Sequence, residues 1–139
     1  MKVFKLNIEK AYFVRLEHGK ELIEQILEFL NSHKIEAAFI NGIGAVTTAE
    51  IGYYDQTKKE YIKKVVNEPC EILSLSGNAS VKDGKIFAHL HVVLGYNSKI
   101  YCGHLFKAKV FACELFVLPL VGKVPERKFD DVTGLQLWL

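Results

Sequence analysis

The chain has little of what staples, breaks or anchors a fold. It has three cysteines, Cys70, Cys102 and Cys113, with no CxxC pair among them. An odd, scattered set in a chain without an export signal reads as reduced, mostly buried thiols. Prolines number three, and no repeat, linker or low-complexity stretch interrupts the sequence. No apolar run approaches the roughly 20 residues needed to span a membrane as a helix. The opening MKVFKLNIEK alternates charge with apolar residues, which is not the pattern of a secretory leader. A cytoplasmic location without membrane contact is expected. Neither charge sign dominates: 18 Lys and Arg face 16 Asp and Glu, for a net charge of +2. The pI of 8.4 falls short of the roughly 9 expected of a dedicated DNA-binding domain.

What is present is apolar patterning. Half of the 139 residues are hydrophobic and 24% charged, as in an ordinary globular domain, and the length suits one domain spanning 1–139. Residues 3–16 alternate and are rich in Val, Phe, Leu and Ile, which predicts one or two strands. Between Lys20 and His33 the period changes. Leu22, Ile23, Ile26, Leu27 and Leu30 recur at helical spacing, with Glu21, Glu24, Gln25 and Glu28 on the other face. The segment 35–46 runs apolar into a glycine-punctuated turn. Strands follow at 49–55, 60–66, 71–80, 85–95 and 100–105. The nearly all-apolar 109–120 reads as a strand buried on both faces, and the tail from Val124 as looser chain with an apolar end. The sum is an α+β domain: a mostly antiparallel sheet of seven or more strands with one main helix packed on it, and room for a second short helix.

Three of the five histidines lie in AHLHVVLGYNSKIYCGHL, residues 88–105. Strand side chains alternate, so His89 and His91 share a face about 7 Å apart. If Asn97-Ser98 is the centre of a tight hairpin, His91 stands opposite His104. The same construction about Asp83-Gly84, a strong hairpin signal, sets Asn78 opposite His89 and Ser76 opposite His91. Cross-strand neighbours lie about 5 Å apart, so the three imidazoles converge. Three such ligands suit zinc or another divalent ion, with a fourth position left for water or substrate. The competing reading is that the histidines are satisfied in the core by Ser76 and Asn78.

Other candidates are weaker. Glu114 is a possible buried acid in an apolar strand, and its partner would be Arg127 or a histidine; an ion pair is a better account than a general base. Asn41-Gly42-Ile43-Gly44 reads as a turn, because a phosphate loop needs a following helix or Lys. Lys58, Lys59, Lys63 and Lys64 lie among Tyr53, Tyr54 and Tyr61, a mixture that can serve nucleic acid, but Glu60 and Glu68 make it a solvated edge.

Several pieces resemble, in order, the plants-and-prokaryotes conserved (PPC) domain in its stand-alone prokaryotic form. They are FVRLEHGKELIEQILEFL, INGIGAV followed by IGYYD, EILSLSGNAS, HLHVVLG, CGHL and ERKFDDVTGLQLW. The resemblance implies a homotrimer. It also implies a fold similar to that of acetolactate decarboxylase, whose zinc is held by an HxH pair and a downstream histidine; His89, His91 and His104 match that arrangement. The chemistry does not travel with a fold, and no acid–base pair stands out, so the sequence does not read as an enzyme. The family's association with DNA rests on a basic AT-hook in its plant members, and this chain has no such element. The expected function is therefore a homotrimeric, DNA-associated regulatory or binding module, with DNA or other proteins as partners and a metal-capable histidine cluster. The alternative is a zinc-dependent enzyme or small-molecule binder using His89, His91 and His104.

Overall fold

A computed structural model describes all of residues 1–139. One helix and nine strands follow in the order β1 (Leu6–Ile8), β2 (Tyr12–Leu16), α1 (Leu22–Ser32), β3 (Ala38–Asp55), β4 (Glu60–Val66), β5 (Cys70–Lys82), β6 (Lys85–Tyr96), β7 (Lys99–Gly122), β8 (Glu126–Asp130) and β9 (Leu135–Trp138). No second helix is present, and no helix is long and apolar enough to cross a membrane.

The helix starts where Glu21, in extended conformation, accepts a hydrogen bond from the Glu24 N–H at 2.6 Å. The other carboxylate oxygen of Glu21 accepts from the Ala108 N–H at 3.0 Å, which ties the helix start to β7. Leu22, Ile26 and Leu30, four residues apart, are fully buried; each such burial contributes about 2 kcal/mol. The helix ends in a Schellman-type cap with Lys34 at φ +55° in the left-handed region. There the Lys34 N–H reaches Asn31 O and the Ile35 N–H reaches Leu30 O at 2.8 Å, with buried Ile35 and Leu30 as the accompanying apolar pair.

The sheet closes on itself: β5 pairs with β6, β6 with β7, β7 with β3, and β3 with β5. The enclosed core takes Leu90, Val92 and Leu94 from β6, Leu105, Val110, Cys113 and Leu115 from β7, and the apolar face of α1. The β5–β6 and β6–β7 hairpins turn on Asp83-Gly84 and Asn97-Ser98, where both central residues have positive φ. That geometry matches the right-handed strand twist and fixes both registers as expected from the sequence.

Three sequence expectations need correction. The sheet is mostly antiparallel, as expected, but mixed, because β8 runs parallel to β5 through Val81↔Glu126 and Lys82↔Arg127; the tail, expected as looser chain, returns beside β5 and is ordered into β8 and β9. The glycine-rich segment around Asn41 is no turn but the interior of β3, bulged between Gly42 and Gly44. Finally, β7 is a single strand whose outer face is open. Cys113, Leu115 and Val117 point inward, so the alternation sends Glu114 outward. Glu114 is exposed and makes no ion pair with Arg127 or a histidine; its cross-strand neighbours are Arg15 of β2 and Ile43 of β3. It is not a buried acid. All three cysteines are free; Cys70 and Cys113 are buried and Cys102 is exposed.

Candidate metal centre

In β6 the even positions Ala88, Leu90, Val92 and Leu94 fill the core. The odd positions His89 and His91 therefore stand on the outside of the closed sheet. His91 pairs directly with His104 of β7. Ring centroids are 5.2 Å apart for His89 and His91, 5.0 Å for His89 and His104, and 5.4 Å for His91 and His104. One ligand nitrogen from each lies within 4.8 Å of the others. His91 is exposed, while His89 and His104 are half-buried.

Glycines allow the backbones to come this close. A Cβ at Gly77 would collide with the His89 carbonyl oxygen. Gly103, at φ +151°, lies against the Gly52 carbonyl of β3 and sets the strand path just before His104. Tyr61 and Phe106 flank His104 with centroids 5.0 and 4.6 Å from it. Together they shield one side of the imidazole from water.

The donor set fits a divalent metal. Burial pushes the His89 imidazole down to about 4, helped by the cationic forms of His104, Arg127 and His91. Burial likewise pushes His104 down to about 4, helped by His91, Lys63 and Arg127. Both rings are therefore neutral at pH 7, the form that ligates metal. The Nδ1 of His104 is buried without any hydrogen-bond partner. A buried ring nitrogen without a partner is costly, and a metal ion would relieve it.

The polar residues expected around the histidines are arranged differently. Asn78 does stand opposite His89 and Ser76 opposite His91, but neither side chain bonds a histidine. Ser76 is exposed. Asn78 Oδ1 instead accepts from Arg127 at 2.8 Å. The reading of satisfied core histidines thus lacks its proposed partners.

Sequence reasoning placed Arg127 as a partner for Glu114 and missed its position here. The β8 register folds it over the outer face, where it is 6% exposed. Its Nε donates to Ser80 Oγ at 3.0 Å, one terminal nitrogen to Gln136 O at 3.1 Å, and the other to Asn78, 3.4 Å from His89 Nδ1. Phe87 and Trp138 present their rings to the guanidinium at 5.6 and 5.1 Å. Nothing in the charged stretch ERKFDD marks this residue as buried; only the parallel pairing with β5 puts it there. Lys58, Lys59, Lys63 and Lys64, on or beside edge strand β4, are exposed, as expected of a solvated edge.

The chain matches the Plants and Prokaryotes Conserved domain, abbreviated PCC or PPC, over residues 4–121. It is similar in structure to a metal-containing protein from Archaeoglobus fulgidus, with 60% identity, a TM-score of 0.98, and coverage of 100% of this chain and 99% of that one. A PPC protein from Pyrococcus horikoshii shares 38% identity at a TM-score of 0.94, over 100% of this chain and 97% of that one. A third, from Bacteroides thetaiotaomicron and described as a candidate DNA-binding protein, shares 27% identity at a TM-score of 0.84, over 96% of each chain. No curated protein matches. The domain match spans most of the sequence and agrees with the nine-stranded fold and its outer histidines: the chain belongs to the Plants and Prokaryotes Conserved domain family.

Proposed function

We propose that this protein is a cytoplasmic, homotrimeric PPC module whose working site is a divalent metal centre held by His89, His91 and His104, zinc being the first candidate. The observation that carries this reading is the convergence of three imidazole donors within 4.8 Å, one with a buried, unpartnered Nδ1. The metal-containing Archaeoglobus relative at 60% identity supports it. A metal there supplies Lewis acidity and an acidified water. The chain's own residues hold the ligand set, keep two of its rings neutral and shield one flank with Tyr61 and Phe106. No side-chain acid–base pair accompanies the histidines, so the reading is a binding centre and not an assigned reaction.

Metal content of tag-free protein by mass spectrometry tests it, with oligomer mass from light scattering on the same sample. About one metal per chain, lost on His91→Ala, is the expected result. A metal-free wild type after supply of zinc would refute the centre.

A second reading, a DNA-associated regulator, is favoured by one observation: the Bacteroides relative is described as a candidate DNA-binding protein. Against it stand the modest net charge of +2 and the absence of an AT-hook. Neutralising phosphates makes affinity fall steeply with salt, so a salt titration on duplex DNA decides it. No binding at low salt excludes DNA as a direct partner.

A further inference from the structure

The charge account of the histidine centre does not close. Arg127 is buried, yet the groups it donates to are neutral, Ser80 Oγ, Gln136 O and Asn78 Oδ1, and its remaining close neighbour is the His89 imidazole, with Nδ1 3.4 Å away. None of its partners is a carboxylate, and all four ion pairs of the chain lie elsewhere. The groups that act on His89 and His104 are cationic or imidazole: each other, His91, Lys63 and Arg127. A buried cation without a counter-ion is costly, and a divalent ion on three neutral imidazoles would add two further charges of the same sign. Buried charges are ordinarily paired. The Phe87 and Trp138 rings offset part of that cost, and no carboxylate of the chain is paired with the guanidinium to offset the rest.

We infer that Arg127 and the three histidines form a binding site for a small oxyanion, a carboxylate or phosphate group, which takes up the negative charge the protein does not provide there. The site opens to solvent at His91, the exposed member of the set, while Phe106, Tyr61 and the β8–β9 tail close the other sides. Arg127 is too deeply set for the backbone of a nucleic-acid duplex to reach it. A small anion that enters beside exposed His91 would meet the terminal nitrogen of Arg127 that lies 3.4 Å from His89 Nδ1. Trp138 and Ser80 hold the guanidinium in place, the indole N–H also donating to Ser80 Oγ at 3.1 Å.

The inference deepens the metal reading but is testable without it. Calorimetric titrations with oxalate and, separately, inorganic phosphate are run on zinc-loaded and on EDTA-treated protein. The zinc-loaded wild type is expected to bind at least one of the two. Arg127→Gln is expected to weaken that binding tenfold or more with zinc content unchanged, and Arg127→Lys, which keeps the charge, to weaken it less. Preference between oxalate and phosphate then identifies the class of anion. Because Arg127 also supports the tail, a wild-type measurement stands beside the variants: the side-chain Nε–H resonance of Arg127 is expected to shift as the anion is added. An unmoved resonance, or equal affinity in a folded Arg127→Gln, overturns the inference. So does the absence of binding to both wild-type forms. A wild type that takes no zinc refutes the metal reading alone, and the EDTA-treated titration then decides the anion site.

Discussion

His91 and His104 stand directly opposite each other across the β6–β7 pairing, with their ring centroids 5.4 Å apart. The two-residue turn at Asn97-Ser98 fixes that relationship, because a slip of one residue would move one imidazole to the core side of the sheet. The three-histidine cluster is therefore a property of backbone register. It does not depend on a mobile loop.

Removing one of the three ligands leaves two, too few to hold a structural or catalytic zinc. His89→Ala is expected to lower zinc affinity at least about 100-fold, beyond the usual cost of losing an outer-shell partner. The fold is expected to survive, because His89 lies outside the buried core. Metal content and the circular dichroism melting curve of the same sample check this. Equal zinc in mutant and wild type would dispose of the site.

Gly103→Ala tests the backbone under His104. The new Cβ would strike the Gly52 carbonyl oxygen at a φ that side chains avoid. Strain and overlap together are expected to cost about 2–4 kcal/mol, or roughly 10 °C in the melting midpoint for a domain of this size. Zinc affinity should fall as well, because His104 follows directly. Gly84→Ala is the control: the turn glycine has open space around it, so its Ala variant carries only the φ cost. Equal melting points for the two variants would show that the close approach to β3 is not needed.

Much of this was legible in the sequence, for identifiable reasons. Leu22, Ile26 and Leu30 gave a clean helical period, and two-residue turns made hairpin registers a matter of counting. The three-histidine face, the opposition of Asn78 to His89 and the opposition of Ser76 to His91 all came from those turns. What failed depended on distant chain. Glu114 looked buried because its strand is apolar on both sides, yet its outer neighbours Arg15 and Ile43 come from β2 and β3 and leave it exposed. Arg127, in a tail that read as looser chain, was expected to partner Glu114, and only a parallel pairing some 45 residues back in sequence buries it beside Asn78 instead. The glycines of 42–44 looked like a turn because a bulge within a long strand uses the same residue type.

The depressed histidines predict an acid sensitivity of the metal-free chain. His89 and His104 take up protons near pH 6.5 when unfolded but only near 4 when folded. Between those values the unfolded state binds more protons, so stability is full above about pH 6.5 and is lost as pH falls towards 4. Because both rings are partly wetted, the combined loss is about 2 kcal/mol after screening by solvent. Urea midpoints of EDTA-treated protein at pH 7.5, 5.5 and 4.5 measure it. A His89→Gln, His104→Gln double variant is expected to flatten the curve over that range. Parallel curves for variant and wild type would remove burial of these imidazoles as the cause.

The outer face of β2, β7 and β3 predicts how copies meet. Phe13, Phe116 and Asn41 form one cross-strand row, and Arg15, Glu114 and Ile43 the next. Phe13 is 90% exposed, Ile43 59% and Phe111 57%, a cluster that a soluble chain ordinarily covers. The pair Arg15 and Glu114 gives the same surface a charge of each sign, which suits contact with copies of itself. Phe13→Asp combined with Ile43→Asp puts two unpaired charges into that contact. If the proposed homotrimer forms through this face, the mass by light scattering falls from that of three chains to the 15.8 kDa of one. The interior is untouched, so the helix signal should persist. The row Phe13, Phe116 and Asn41 continues through Ser76 to His91, two strands beyond Asn41, and neither substituted side chain is one of the histidines, so zinc stoichiometry should hold if each chain carries its own centre. Metal lost together with the trimer would instead mean that the ligand set is stabilised across the subunit contact. A trimer unchanged by both charges would show that copies meet through another face.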